Sequence, residues 1–203
     1  MEKRMNVKGI KRNIFLIALW IIFLIASLLL CRVYIADIYF KKSQVLLKIG
    51  DGEDSLLYAN KSVSLNPFEP NYYRGRAKVN TVRLVSIDST GDMKEFILFD
   101  LQRALDLNPS NLVTIRNSIP LYYFLAVKDL NTGSGVGNID EGYISYTKEF
   151  FRNTKNSYWN DAGVISSVAK YEKKLGLVDE YEESVERIKE LRPDLLEWND
   201  SFR

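Results

Sequence analysis

Few residues in this 203-residue chain can do chemistry, and the absences narrow the field first. There is no histidine, which excludes imidazole acid–base catalysis, histidine-containing triads and histidine-bound metals. The single cysteine, Cys31, leaves nothing for an intrachain disulfide, a cysteine zinc site or an iron–sulfur cluster. It could carry a lipid, but a small apolar residue at a membrane edge is the simpler role. The stretch Asn131-Thr132-Gly133-Ser134-Gly135-Val136-Gly137-Asn138 has the glycines that let backbone N–H groups approach a phosphate. It lacks a preceding strand and a Gly-Lys-Ser/Thr ending, so a connection between helix pairs is the preferred reading. Asp179-Glu180-Tyr181-Glu182-Glu183 suits the first turn of a helix, where carboxylates meet the positive dipole end, better than a calcium loop. With no convincing pair of carboxylates either, no catalytic residue, cofactor or metal is assigned, and the chain reads as a non-enzyme.

The remaining charge cluster is basic. Arg74, Arg76, Lys78 and Arg83 fall on one expected helix, and Arg76 and Arg83, seven apart, share a face. A solvated helix face is the bland account of such a cluster. The functional account makes Arg76, Lys78 and Arg83 partner-binding residues, facing an acidic protein segment, lipid phosphates or a glycan-lipid pyrophosphate. The net charge is only +2, and beyond the N-terminal tail acidic residues slightly outnumber basic ones. Nucleic acid is therefore not an expected partner.

Those residues must be placed by the rest of the chain, which divides sharply at its beginning. Ile14 to Cys31 contains no charged residue, and at about 1.5 Å per helical residue it reaches roughly 27 Å, close to the roughly 30 Å of a bilayer core. Ile14, Trp20, Leu30 and Cys31 mark the expected anchor. Residues 1–13 then form a basic tail, 14–31 a transmembrane helix and 32–203 a folded domain. Lys3, Arg4, Lys8, Lys11 and Arg12 precede the span, against Arg32, Lys41 and Lys42 after it. That asymmetry places the N-terminus in the cytoplasm and the domain outside it, in a single-pass membrane protein. A cleaved signal peptide is the competing reading, but the apolar stretch is long and ends without a small-x-small site.

The domain repeats. Lys61-Ser62-Val63-Ser64-Leu65-Asn66-Pro67 aligns with Arg103-Ala104-Leu105-Asp106-Leu107-Asn108-Pro109 and, more loosely, with Arg187 to Pro193. The three prolines stand 42 and 84 positions apart, which predicts a period near 42 and a junction without proline near Asn153. Helices are expected from Asp54 to Leu65 and from Glu69 or Pro70 to Val85, with Gly50-Asp51-Gly52 and Thr90-Gly91-Asp92 as stops. Pro120 predicts a late helix start at Ser118 or a kink. The aromatic groups Tyr72-Tyr73, Tyr122-Tyr123-Phe124, Phe150-Phe151 and Tyr158-Trp159 are expected to fill gaps between stacked helices rather than to line a sugar-stacking groove.

The pattern Tyr39, Ser43, Gly50-Asp51, Ser55, Ala59, Ser62, Pro67, and its counterpart Ala169, Glu172, Gly176, Tyr181, Val185, Ile188, Pro193, resembles the tetratricopeptide repeat. The resemblance implies an all-α fold, an α-solenoid of four helix pairs with the transmembrane helix running into the first. A second resemblance covers Arg32 to Lys78. Tyr34-Ile35-Ala36-Asp37 and Ser64-Leu65-Asn66-Pro67-Phe68-Glu69-Pro70-Asn71-Tyr72-Tyr73-Arg74 look like the segment after the last membrane helix of bacterial O-antigen ligase and polymerase-like proteins, whose catalytic region this chain lacks. Together these imply an adaptor or scaffold at the bacterial cell envelope, whose partners are the lipid bilayer and a peptide segment of another protein. The alternatives are a detached O-antigen ligase-like tail docking on a polytopic membrane protein, or a spacer in an envelope or secretion complex.

Overall fold

A computed structural model describes residues 7–86, 91–129 and 138–196. Among these the chain is helical: α1 (Val7–Lys48), α2 (Gly52–Leu65), α3 (Pro70–Ser86), α4 (Gly91–Leu107), α5 (Leu112–Ala126), α6 (Ile144–Ser157), α7 (Ala162–Leu175) and α8 (Val178–Leu191). They pack as four successive pairs in an all-α solenoid, as the repeat implied. The expected anchor and the first helix of the repeat are one continuous element, the 42-residue α1. Its most apolar 18-residue window has a mean hydropathy of 3.1, and none of the described residues buries it. The helix is long and apolar enough to cross a membrane. Met1 to Asn6 of the basic tail lie outside the described residues.

Local chemistry fixes most helix ends. Gly50 takes φ +87°, a left-handed conformation that costs glycine little, and so ends α1. The Asp51 carboxylate then accepts from the Asp54 N–H at 3.1 Å, capping α2. Asn111 caps α5 in the same way through Thr114, and Asp161 caps α7 through Gly163 and Val164. Pro67 and Pro109 sit just after α2 and α4, where proline cannot continue a helix. Asp179 and Glu180 lie in the first turn of α8, as their charge suggests.

Three expectations are corrected. Asn153 lies inside α6 and the junction comes later, at Tyr158 to Asp161, because no proline stops that helix. The 84 residues from Pro109 to Pro193 therefore hold one long unit and one short one; only 34 positions separate Tyr158 and Arg192, the residues that cap α6 and α8. Of the two outcomes expected at Pro120, the late start at Ser118 is overturned, since α5 begins at Leu112 and runs through the proline. Gly91 and Asp92 already belong to α4, while Asp88 and Thr90 lie outside the described residues.

Within the first pair, helices approach through small side chains: Ser43, Ser55, Ala59 and Ser62 are fully buried, and Ser55 Oγ donates to the Ser43 carbonyl at 2.9 Å. Tyr122 and Phe150 stack at 4.0 Å with nearly parallel rings, filling the third pair as the aromatic clusters predicted. The long α5–α6 connection is closed at its base by a bridge between Val127 and Ile139. Buried Lys94 reaches it from α4, donating to the Val127 carbonyl at 2.7 Å and to Asp140 at 2.6 Å. The glycine-rich residues 131–137, read as that connection, lie outside the described residues.

Candidate functional site

The basic cluster lies on α3, and helical geometry splits it between two faces. Residues 74 and 78 are four apart and so lie together; 76 and 83, seven apart, lie together elsewhere. Arg76 turns toward α2 and α4. Its Nε and Nη2 donate to the two oxygens of Asp100 at 2.9 and 2.7 Å, and its Nη1 donates to Asn60. Burial opposes charge on both partners: it lifts the Asp100 carboxyl above its usual range against the pull of Arg76. Burial would lower the Arg76 guanidinium, but the Asp100 hydrogen bond and charge hold it above its ordinary value. Arg83 donates to Glu53 at 2.7 Å. Both arginines thus direct their charge to carboxylates of the same chain.

On the other face Arg74 and Lys78 line an open cleft of about 370 Å³ between α1, α3 and α5. These are first helices of successive pairs, so the cleft runs along the inner layer of the solenoid. Phe40, Val82, Pro120, Leu121 and Phe124 supply apolar lining, and Gln44, Thr81 and Asn117 supply polar groups. Among the described residues no carboxylate lines it. Lys78 is exposed, and neither it nor Arg74 forms a salt bridge among the described residues. Arg74 is held by Asn71 Oδ1 at 2.9 Å and more weakly by the Val113 carbonyl at 3.4 Å. Burial lowers its pKa, countered in part by the charge of Glu69. The Gln44 Nε2 group is buried and has no hydrogen-bond partner.

The wall between α1 and α3 depends on a missing side chain. A Cβ on Gly75 would stand 2.3 Å from Phe40 Cε2, so the Phe40 ring rests directly on the α3 backbone. That ring also meets Tyr72 at 5.1 Å, and the buried Tyr72 hydroxyl donates to Asp37 on α1. Burial, with the Asp37 hydrogen bond, keeps the phenol protonated well above its usual range.

Of the residues singled out in sequence, Lys78 therefore reaches the cleft, whereas Arg76 and Arg83 turn to the opposite face of α3, toward α2 and α4. Arg74 belongs with Lys78, a pairing that the four-residue spacing carries. Gln44, Asn117 and Phe124 were not legible as site residues, because nothing in the sequence shows that α1, α3 and α5 border one cleft. Among the described residues no cluster of acidic and cysteine side chains could hold a metal ion. A second charged cluster, also unforeseen, is internal. Lys155 Nζ lies 3.1 Å from Glu172, 2.7 Å from Glu183 and 3.2 Å from Ser184, whose hydroxyl donates to Glu172. Lys155 and Glu172 are almost fully buried, which makes this a fastening of α6 to α7 and α8 rather than an accessible site.

No protein-family model matches the chain. It is 26% identical over 162 residues to a tetratricopeptide repeat-containing protein of Methanocaldococcus jannaschii, an alignment covering 70% of this chain. The chain spans only 28% of that relative's length. Its fold is similar to that of MamA, with a TM-score of 0.53 and 17% identity, covering 80% of this chain and 81% of the other. A tetratricopeptide-repeat protein of Thermus thermophilus superposes with a TM-score of 0.50 at 15% identity, covering 78% of this chain and 75% of that one. Four stacked helix pairs, small residues within the first of them and these likenesses together make the chain a tetratricopeptide-like helical-repeat protein.

Proposed function

We propose that this chain is a membrane-anchored adaptor, held by α1 with its N-terminus in the cytoplasm and its repeat domain outside, whose inner cleft takes an acidic segment of a partner protein. One observation carries the reading: Arg74 and Lys78 stand beside an apolar floor in a cleft with no carboxylate in its lining. Apolar anchors with a few directed polar groups suit a peptide, and the exposed positive charge of Lys78 selects an acidic one. Helix-pair solenoids offer elongated concave surfaces of this kind. The anchor follows from the length and apolarity of α1 and from the excess of Lys and Arg before the span. An envelope setting rests on the likeness of Arg32 to Lys78 to O-antigen ligase-like tails. The Thr81 hydroxyl in the cleft donates to the Ala77 carbonyl and has no general base beside it in the lining, which gives a catalytic role no support there.

The test is photocrosslinking in living cells from probes at Lys78 and Asn117, with Arg83 as the outer-face control. Capture of one protein through an acidic segment at the first two positions is the expected result, and Lys78→Glu should abolish the capture at Asn117. A polytopic membrane protein as that partner would specify the ligase-tail variant of the adaptor. Equal capture at Arg83, or lipid alone, would overturn the cleft assignment and leave the spacer.

A further inference from the structure

The part of α1 beyond the expected span has one face against its neighbours and one face against nothing. Ala36 and Ser43 are buried against α2, and Asp37 and Phe40 meet α3. On the side away from both, Ile35, Ile38 and Val45, together with Ile49 just past the helix end, are 41%, 45%, 58% and 73% exposed. A solvated helix face has no reason to be aliphatic at these positions, where polar residues are free to stand. Their spacing is ordered. From Cys31 the steps to Ile35, Ile38, Lys42, Val45 and Ile49 alternate four and three, the a/d stripe of a heptad, and the same steps run back through the span to Ile14. Inside the span an apolar stripe is uninformative, because every residue there but Ser27 is apolar. Beyond Arg32 it is selective.

We propose that this stripe is the interface of a parallel homodimer, formed by α1 of two copies of the chain. A period of 3.5 residues is the signature of a helix facing another helix in a left-handed supercoil, rather than of a helix lying on a sheet or in a groove. The identical copy is the fitting occupant because two chains inserted the same way run parallel and bring equal residues level. Lys42 is the one polar member of the stripe, and its Nζ is drawn aside to the Tyr58 hydroxyl on α2 at 2.7 Å, leaving the seam on its own chain. The parallel orientation rests on the membrane-anchored reading above; the stripe does not. In the dimer the two Cys31 residues, exposed at the outer edge of the span, face one another at a d position.

The sole cysteine makes the test direct. Membranes containing the full chain are first washed with alkaline carbonate, which reports insertion independently of association. They are then oxidised with copper phenanthroline, and the disulfide-linked species is measured for Cys31 itself and, on a Cys31→Ser background, for Ile38→Cys and Val45→Cys on the stripe and Leu30→Cys and Val33→Cys off it. Strong dimer bands at 31, 38 and 45, at least fivefold above those at 30 and 33, are expected. Equal bands at all five positions, or none at any, overturn the dimer. The purified full chain in detergent should have a protein mass of two copies by light scattering, falling to one in Ile38→Glu/Val45→Glu with helicity unchanged. A mass of one copy for the unsubstituted chain also overturns it. Failure of the carbonate test with the stripe pattern intact would refute the anchor and keep the dimer.

Discussion

The two faces of α3 carry the same kind of residue and use it differently. On the outer face Arg76 meets Asp100 with both oxygens engaged and Asp100 almost fully buried, so its charge is spent inside the protein. On the inner face Lys78 is exposed and without a salt bridge among the described residues, and Arg74 hydrogen-bonds to neutral oxygens with Glu69 only a partial counter-charge. A basic residue marks a binding surface when the fold leaves it without a carboxylate. When the fold supplies one, the same residue joins helices together.

This contrast can be broken most severely at Asp100. Asp100→Ala strands the Arg76 guanidinium and should cost about 3–5 kcal/mol, read as a lower denaturation midpoint. Asp100→Ala/Arg76→Met should recover much of that loss, since no buried charge is then left alone. Gly75→Ala comes next: its methyl group would overlap the Phe40 ring and push α1 from α3, at about 1–3 kcal/mol. Phe40→Leu on that background should restore part of the stability by making room. Arg83→Ala should cost no more than about 1 kcal/mol, because Glu53 is largely exposed and its ion pair is solvated.

The inner face sharpens the comparison from the other side. Lys78→Glu should leave thermal stability within about 0.5 kcal/mol of the parent chain while abolishing crosslinking to an acidic segment. A matching loss of stability would show that Lys78 serves the fold. The smallest effect concerns pH. Burial raises the pKa of Asp100 and of Glu172 against the pull of Arg76, and of Ser184 and Lys155, respectively. The folded chain therefore keeps protons on these groups that the unfolded chain has released, and stability falls as pH rises from their ordinary values through their raised ones. Glu172→Gln should flatten that slope in melting curves taken across the acid range.

Much of the architecture was legible because local rules decided it. Pro67, Pro109 and Gly50 act within a turn of where they stand, so those helix ends followed from residue types. The junction expected near Asn153 failed because it was interpolated from an assumed equal period, and α6 carries no local stop there. The long α5–α6 connection absorbs the difference, and its base is fastened by Lys94, which donates to Asp140 46 positions away.

The sequence by itself determined the all-α class, the number of helix pairs, the apolar reach of α1 and the absence of histidine chemistry, because these depend on composition and on spacing along one chain. Which cations are spent and which are free was decided only in the tertiary structure. Asp100 stands 24 residues from Arg76, and the residues lining the cleft come from three helices spread between Phe40 and Phe124. Charge pairing depends on distance through space, and no periodicity along α3 reveals what the neighbouring helices place opposite it.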